Sequence, residues 1–374
     1  MKRERMFLLL AAVCLFLTGP VMAEWTTPQP VTEVNTEREE LTPFLSFDGK
    51  SLYFSRRATD GRYYMYEATR PQPFGPFTSE SQISNLGHAV YSPWVSQDNL
   101  RMYYHWEGSR WLLKISQRTS VNDPWPQGTN IDEINQYGKV HCPAMTADEL
   151  TIVFRSPDFS GGAGGYDIWM ATRPDMNSPF GNLRNLTEIN TSSNDLVPYI
   201  SPDGLELYFY SNRNGGYPQI FKATRPSVNG PFGNIEHLSV FDSPGGGSYD
   251  PALSSDGSAF YFVRKLDGGT PSTFDIYVSY QPVAEVTNLI ATAIEKKFKA
   301  LDALDAALTA EDTAYDALEE LLESGDYGDM KKGDVVKAKQ RIHSAIQHEE
   351  QAQMDIDKSI EKLNDGLEAL GIEP

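Results

Sequence analysis

The stretch that decides the fold runs from Val197 to Pro226 and reads VPYISPDGLELYFYSNRNGGYPQIFKATRP. Val197–Ser201 is a short apolar run. Pro202-Asp203-Gly204 follows as turn chemistry, because Asp and Gly tolerate the positive φ that tight hairpins need. Leu205–Tyr210 alternates in period two and is rich in aromatics, the pattern of a half-buried strand. Asn212–Gly216 is a looser turn, and Tyr217–Thr224 is a third strand. Three strands joined by two turns make one antiparallel unit.

Outward from this stretch the unit recurs. Pro198, Ser201 and Asp203 have counterparts in Pro43-Ser46-Asp48, Pro93-Ser96-Asp98, Pro143-Thr146-Asp148 and Pro251-Ser254-Asp256, with prolines at intervals of 50, 50, 55 and 53 residues. A period near fifty with several short strands per unit marks the blades of a β-propeller. The second strand falls at Ser51–Phe54, Met102–Tyr104, Thr151–Phe154, Leu205–Tyr210 and Ala259–Val263. The third falls at Tyr63–Thr69, Trp111–Gln117, Tyr166–Thr172, Tyr217–Thr224 and Phe274–Tyr280. A fourth strand is read in Ile131–Asn135 after Trp125, and in Leu186–Asn190 after Phe180. The same spacing places Val31–Asn35 after Trp25. The fifth unit reaches Pro282 without such a strand, so the N-terminal segment is expected to pair with Phe274–Tyr280 and close the ring, leaving no open sheet edge. The expected architecture is mainly β: a five-bladed β-propeller over residues 24–282 closed by an N-terminal strand, followed by an antiparallel α-helical hairpin over 283–374.

At residues 25–282 the chain resembles the WD40-like propeller repeats of the TolB family. Its SPDG turn, aromatic second strand and Ile-Trp third strand look like Ser201-Pro202-Asp203-Gly204, Leu207-Tyr208-Phe209 and Ile168-Trp169. The run Gly164–Arg173 looks like a variant found in secreted bacterial propellers. The resemblance implies the fold and a periplasmic or extracellular setting. It does not imply TolB's partners, since that family has six blades and a further N-terminal domain, and a propeller hosts many functions.

The start of the chain agrees with export. Lys2, Arg3 and Arg5 precede the apolar run Met6–Leu17, and Val21-Met22-Ala23 supplies small residues for cleavage after Ala23. The apolar run is too short for a membrane span. Removal of residues 1–23 would take Cys14 with it and leave Cys142 without a disulfide partner. Cys142 abuts Pro143 in an inner strand, where a buried, inert thiol is expected. The formal net charge of −19 argues against nucleic acid and anionic lipid as partners.

Five turn aspartates, Asp48, Asp98, Asp148, Asp203 and Asp256, recur at one position per blade and are read as structural. So are Arg70, Arg118, Arg173 and Arg225, which end the third strands. Candidate ligand-binding residues are those that break the repeat at the channel mouth, Glu40, Tyr91, His141, Asp195 and Asp250, with the loop aromatics Tyr166, Tyr217 and Tyr249. The acids stand at different offsets from their prolines, so the carboxylate pair of a glycoside hydrolase is not evident. His141 lacks a partner at metal-ligand spacing. The Gly-rich loops 160–165, 214–216 and 244–247 precede no helix and are not phosphate cradles. No cofactor or metal is expected.

After Pro282 the composition shifts to Ala, Leu, Glu, Asp and Lys, with apolar residues at steps of three and four. Ile290 through Leu322 and Val335 through Leu370 read as two helices with coiled-coil character, interrupted in their seam by Glu311 and Glu349. Ser324–Asp329 is a helix stop and Asp334 an N-cap. Phe298, Ile346, Ile360 and Leu367 form a second apolar face, suited to self-association or a partner. The expected function is that of an exported, noncatalytic binding or scaffold protein engaging an envelope or extracellular protein or glycan through its rim loops. The alternative is a five-bladed carbohydrate-active enzyme.

Overall fold

The structure, a computed structural model, describes residues 25–73, 75–266, 274–281, 303–304, 306–325 and 331–369. The expected export signal, Met1–Ala23, and the junction at Pro282 lie outside the described residues. These residues fall into two compact units, a propeller and a pair of helices.

The propeller has five four-stranded antiparallel sheets. The first holds β2 (Glu40–Leu45), β3 (Ser51–Arg57), β4 (Tyr63–Thr69) and β5 (Ser79–Gln82). The second holds β6 (Val90–Val95), β7 (Arg101–Glu107), β8 (Trp111–Gln117) and β9 (Thr129–Asn130). The third holds β10 (His141–Met145), β11 (Thr151–Ser156), β12 (Asp167–Thr172) and β13 (Gly181–Asn185). The fourth holds β14 (Asp195–Ile200), β15 (Glu206–Ser211), β16 (Gln219–Thr224) and β17 (Gly233–His237). The last blade takes β18 (Gly246–Leu253), β19 (Ala259–Leu266) and β20 (Phe274–Tyr280) from one end of the propeller and β1 (Gln29–Pro30) from the other. Gln29 pairs with Val278 and Pro30 with Tyr277. Thr26 and Val31 extend the ladder by donating their N–H groups to Tyr280 O and Ile276 O, both at 2.9 Å. Trp25 packs its ring on Phe241 and Phe260. The ring is therefore closed by the N-terminal segment.

Second strands are more buried than their alternation predicts. Leu52, Tyr53 and Phe54 of β3 are all fully buried, as are Ile152, Val153 and Phe154 of β11. Both faces of each sheet meet a neighbouring blade, so inward and outward positions alike enter one continuous core. The repeated turn is also held by one device. Ser46, Ser96, Thr146, Ser201 and Ser254 each donate a hydroxyl to the aspartate two residues on, at 2.6 Å. The next residue takes positive φ: Gly49, Asn99, Glu149, Gly204 and Gly257. Four of its carbonyls accept Nε of the arginine ending the third strand, Arg70, Arg118, Arg173 or Arg225, at 2.6–2.9 Å. Each of these guanidinium groups stacks on the aromatic residue ahead of the outer strand, Phe77, Trp125, Phe180 or Phe232. The repeated Asp and Arg residues thus lock turns and blade edges.

One expectation needs correction. Val31–Asn35, Ile131–Asn135 and Leu186–Asn190 are not the outer strands; β1, β9 and β13 precede them, and the motif folds into a turn. In the second blade this turn is α1 (Asp132–Asn135). The two apolar residues of the motif stand three apart, so a helical turn buries both: Ile131 with Ile134, and Leu186 with Ile189. The ladder is continued by the asparagine side chain. Asn135 Oδ1 accepts Leu113 N–H at 2.8 Å and Nδ2 donates to Leu113 O at 2.9 Å. Asn190 does the same with Ile168, and Asn35 with Ile276.

The helical unit contains α2 (306–324) and α3 (Lys332–Ala369). They run as a hairpin: Lys339 Nζ is 2.7 Å from Glu319 Oε1 and lies over the Tyr315 ring, which also meets His343. Gly325 ends α2 with φ of 71°, the left-handed terminator that glycine adopts without penalty. Asp334 is not the N-cap; it lies in the first turn of α3, where the helix dipole still favours its charge. Glu311 and Glu349 each bury an Oε2 atom that has no partner among the described residues. Ile346 is half-buried; the side chains of Phe298, Ile360 and Leu367 lie outside the described residues. Among the described residues, no helix is long and apolar enough to cross a membrane.

Candidate functional site

Each inner strand breaks register at its proline. The residue before it has positive φ in all five blades: Thr42, Ser92, Cys142, Val197 and Asp250, between 43° and 54°. A β-bulge results, with two residues passed over between successive pairs. These five residues and their prolines surround the axis and leave about 30 Å³ there, space for little more than water. Hydrogen bonds tie some of these bulges together, Thr42 N–H to Asp250 Oδ2 and Ser92 N–H to Thr42 Oγ1, which offsets part of the cost of positive φ at β-branched Thr42.

The axis widens on one side into a funnel of about 270 Å³. Its wall is set by the pairing of the second residue before each proline with a residue on the neighbouring strand. These pairs are Leu41 with Ser55, Tyr91 with His105, His141 with Arg155, Leu196 with Tyr210, and Tyr249 with Val263. Tyr91, His105, His141, Arg155, Tyr210 and Tyr249 line the cavity, joined by Glu107, Trp111, Tyr166, Asp250 and Phe274. The rings interlock. Tyr91 stacks on His105 at 4.9 Å, His105 meets His141 edge-on at 4.9 Å, and Trp111 meets His141 at 4.1 Å. Across the funnel, Tyr249 packs edge-on against Tyr210 and Phe274. Tyr166 joins the wall with its N–H bound to Asn194 Oδ1, and nearby Gly164 passes close to Ser193 O, where a Cβ would come within 2.1 Å.

The polar groups of this wall are under-satisfied. Among the described residues, His105 Nδ1, His141 Nε2 and Arg155 Nε are buried without a hydrogen-bond partner. Burial, with Arg155 nearby, pushes His141 down to about 3 and His105 well below the usual imidazole range. Both rings are therefore neutral at physiological pH. Arg155 lies over the Tyr166 ring at 4.9 Å. Asp250 accepts Thr42 N–H at 3.1 Å, and burial raises its carboxyl to about 6 against the pull of that bond and of Arg155. Burial likewise raises the Cys142 thiol, which keeps it from being a nucleophile. Among the described residues, no group of three His, Cys, Asp or Glu is placed to hold a metal ion.

Of the residues singled out in the sequence, the funnel gathers Tyr91, His141, Tyr166, Tyr249 and Asp250. Glu40 and Asp195 are elsewhere. Each is fully buried and bound to the turn before it: Glu40 to Thr36 and Arg56, Asp195 to Thr191 and Arg213. These arginines also hold the carbonyls of Val34 and Ile189. Both acids are clamps between strand and turn. Tyr217 is half-exposed and outside the funnel wall. His105, Glu107, Trp111, Arg155, Tyr210 and Phe274 were not foreseen. Four of them are on second strands and the other two begin third strands, where the sequence reads as core.

No family model matches the chain. Among solved structures, TolB from Acinetobacter baumannii is similar at 14% identity and a TM-score of 0.42, over 67% of this chain and 56% of that one. The catalytic domain of the Coprinopsis cinerea GH62 α-L-arabinofuranosidase is similar at 14% identity and a TM-score of 0.47, over 69% of this chain and 97% of that one. The α-L-arabinofuranosidase PaAbf62A from Podospora anserina, solved in complex with cellotriose, is similar at 14% identity and a TM-score of 0.43, over 65% of this chain and 90% of that one. None of these likenesses speaks to the chemistry of the funnel. This chain's own strand pairing makes it a five-bladed β-propeller latched by its N-terminal segment.

Proposed function

We propose that the protein is an exported, noncatalytic binding protein whose propeller funnel takes a glycan. The observation that carries this reading is the wall itself. Aromatic faces from four blades surround buried polar atoms that have no partner among the described residues. Aromatic faces pack on the C–H faces of a sugar ring, while unpaired donors and acceptors await its hydroxyls. The volume suits one or two sugar residues rather than a folded domain. The helical hairpin serves as an arm for a partner or a second copy.

A second reading has one observation in its favour: Glu107 and Asp250 line the same funnel, and hydrolysis of a glycoside needs two carboxyl groups. Against it, Asp250 is committed to the Thr42 amide deep beside the axis. Calorimetric titration with a panel of neutral and acidic mono- and disaccharides should detect binding, and aryl glycosides should remain intact. Hydrolysis above background that disappears in Asp250→Asn or Glu107→Gln would make the protein an enzyme. If no sugar binds, the glycan reading fails.

A further inference from the structure

The funnel holds a partly buried cation that makes no ion pair among the described residues. No carboxylate of the described residues lies within ion-pair distance of Arg155, and its Nε has no acceptor. Other arginines of the propeller are held: Arg56 binds Glu40 and Glu80, Arg213 binds Asp195, and Arg70 and Arg225, which make no ion pair among the described residues, give their Nε–H to the carbonyls of Gly49 and Gly204. Removing a charge from water without a partner is costly, so Arg155 is poised for an anion that the chain does not supply. Asp250 is close enough for its charge to act on Arg155 but forms no ion pair with it, its Oδ2 accepting the Thr42 amide instead. Beside Arg155, His105 and His141 are only 4% and 2% exposed, each with one ring nitrogen unpartnered.

Resting on the reading of the funnel as a sugar site, we infer that its ligand is a monoanionic sugar, a uronic acid residue, with its carboxylate on Arg155 and neighbouring hydroxyls on His105 and His141. A planar guanidinium matches a carboxylate fork. Neutral imidazoles donate or accept according to tautomer and suit hydroxyl groups. A phosphate ester fits poorly, because a dianion would face one guanidinium together with Glu107 and Asp250. An aliphatic acid would leave the aromatic walls without a ring to cover. Asp250, with its carboxyl near 6, sheds its charge in mildly acidic medium and then opposes the anion less.

The test is calorimetric titration of the purified protein with D-galacturonate and D-glucuronate, beside D-galactose, D-glucose and D-galactose 6-phosphate. The uronates should bind at least tenfold more tightly than the neutral sugars and the phosphate ester. Arg155→Met should erase that preference, bringing uronates to the affinity of the neutral sugars, and Arg155→Lys should restore part of it. Equal affinity for uronates and neutral sugars, tighter binding of the phosphate, or a preference that survives Arg155→Met overturns the inference and leaves the sugar site standing. Binding of no sugar overturns both. The wild-type comparison decides the matter even where Arg155→Met does not fold.

Discussion

Asp250 shows how a single residue serves backbone and charge at once. It sits at the bulge of the last inner strand with φ of 49°, and its carboxylate accepts the Thr42 amide of the adjoining first blade. Burial is the largest influence on that carboxyl and raises it from 3.8 to about 6, outweighing the Thr42 bond and the field of Arg155. The folded state therefore binds the proton more readily than the unfolded chain. Ionisation costs stability in full above about pH 6, and the cost vanishes as pH falls through the folded value toward the unfolded one. Asp250→Asn, which still accepts from Thr42, should be more stable than wild type at pH 7 by about 1–3 kcal/mol. The gap should shrink to near zero by pH 4. Urea unfolding of both proteins at several pH values measures it, and a gap independent of pH would show that Asp250 is not the titrating group.

At the scale of elements, the propeller replaces part of the outer strand with an amide side chain in three blades, at Asn35, Asn135 and Asn190. Asn190 fills both roles of a strand residue for Ile168, with donor and acceptor bonds of 2.8 and 2.9 Å. Asn190→Ala should leave the N–H of Ile168 unpaired, while its C=O keeps the Leu186 N–H at 3.1 Å, and should destabilise by about 1–3 kcal/mol. Asn190→Asp would still accept the Ile168 N–H but loses the donor and buries a charge, so it too should destabilise. A loss below about 0.5 kcal/mol in urea unfolding would mean that water serves Ile168 as well. This element also shows what was legible in sequence. The spacing of Asn35, Asn135 and Asn190 marked the right place and the right closure, but a five-residue apolar-polar motif reads equally as strand or as turn. The funnel was half legible for a related reason. Glu40 and Asp195 stand three residues before their prolines, and the wall residues stand two before. In a strand one step reverses the face, so the acids point into blade edges while Tyr91, His141 and Tyr249 point into the cavity. Arg155 and His105 enter through pairing across a bulge that the sequence does not announce. Counting two back and twelve forward from each proline finds Tyr91 with His105, and His141 with Arg155.

For the whole molecule, closure depends on a contact between the two ends of the propeller. Deleting residues 25–36 removes β1, the Asn35 clamp and the Trp25 ring from the last blade. The edge of β20 is then bare, with a row of unpaired main-chain groups. The shortened protein should melt at least 10 °C lower by calorimetry or precipitate on heating, and an unchanged melting temperature would remove closure from the account of stability. The same latch imposes an order in time. Thr26 is among the first propeller residues to be synthesised, yet its partner Tyr280 lies 254 residues later. Until then the early blades can form but the circle stays open, and the first strand waits without an edge to join. A chain truncated anywhere before β20 never acquires that edge. Fusing start to finish in this way lets the fold inspect its own length: only a chain translated through its last blade is sealed, and every shorter product is left marked by an open ring.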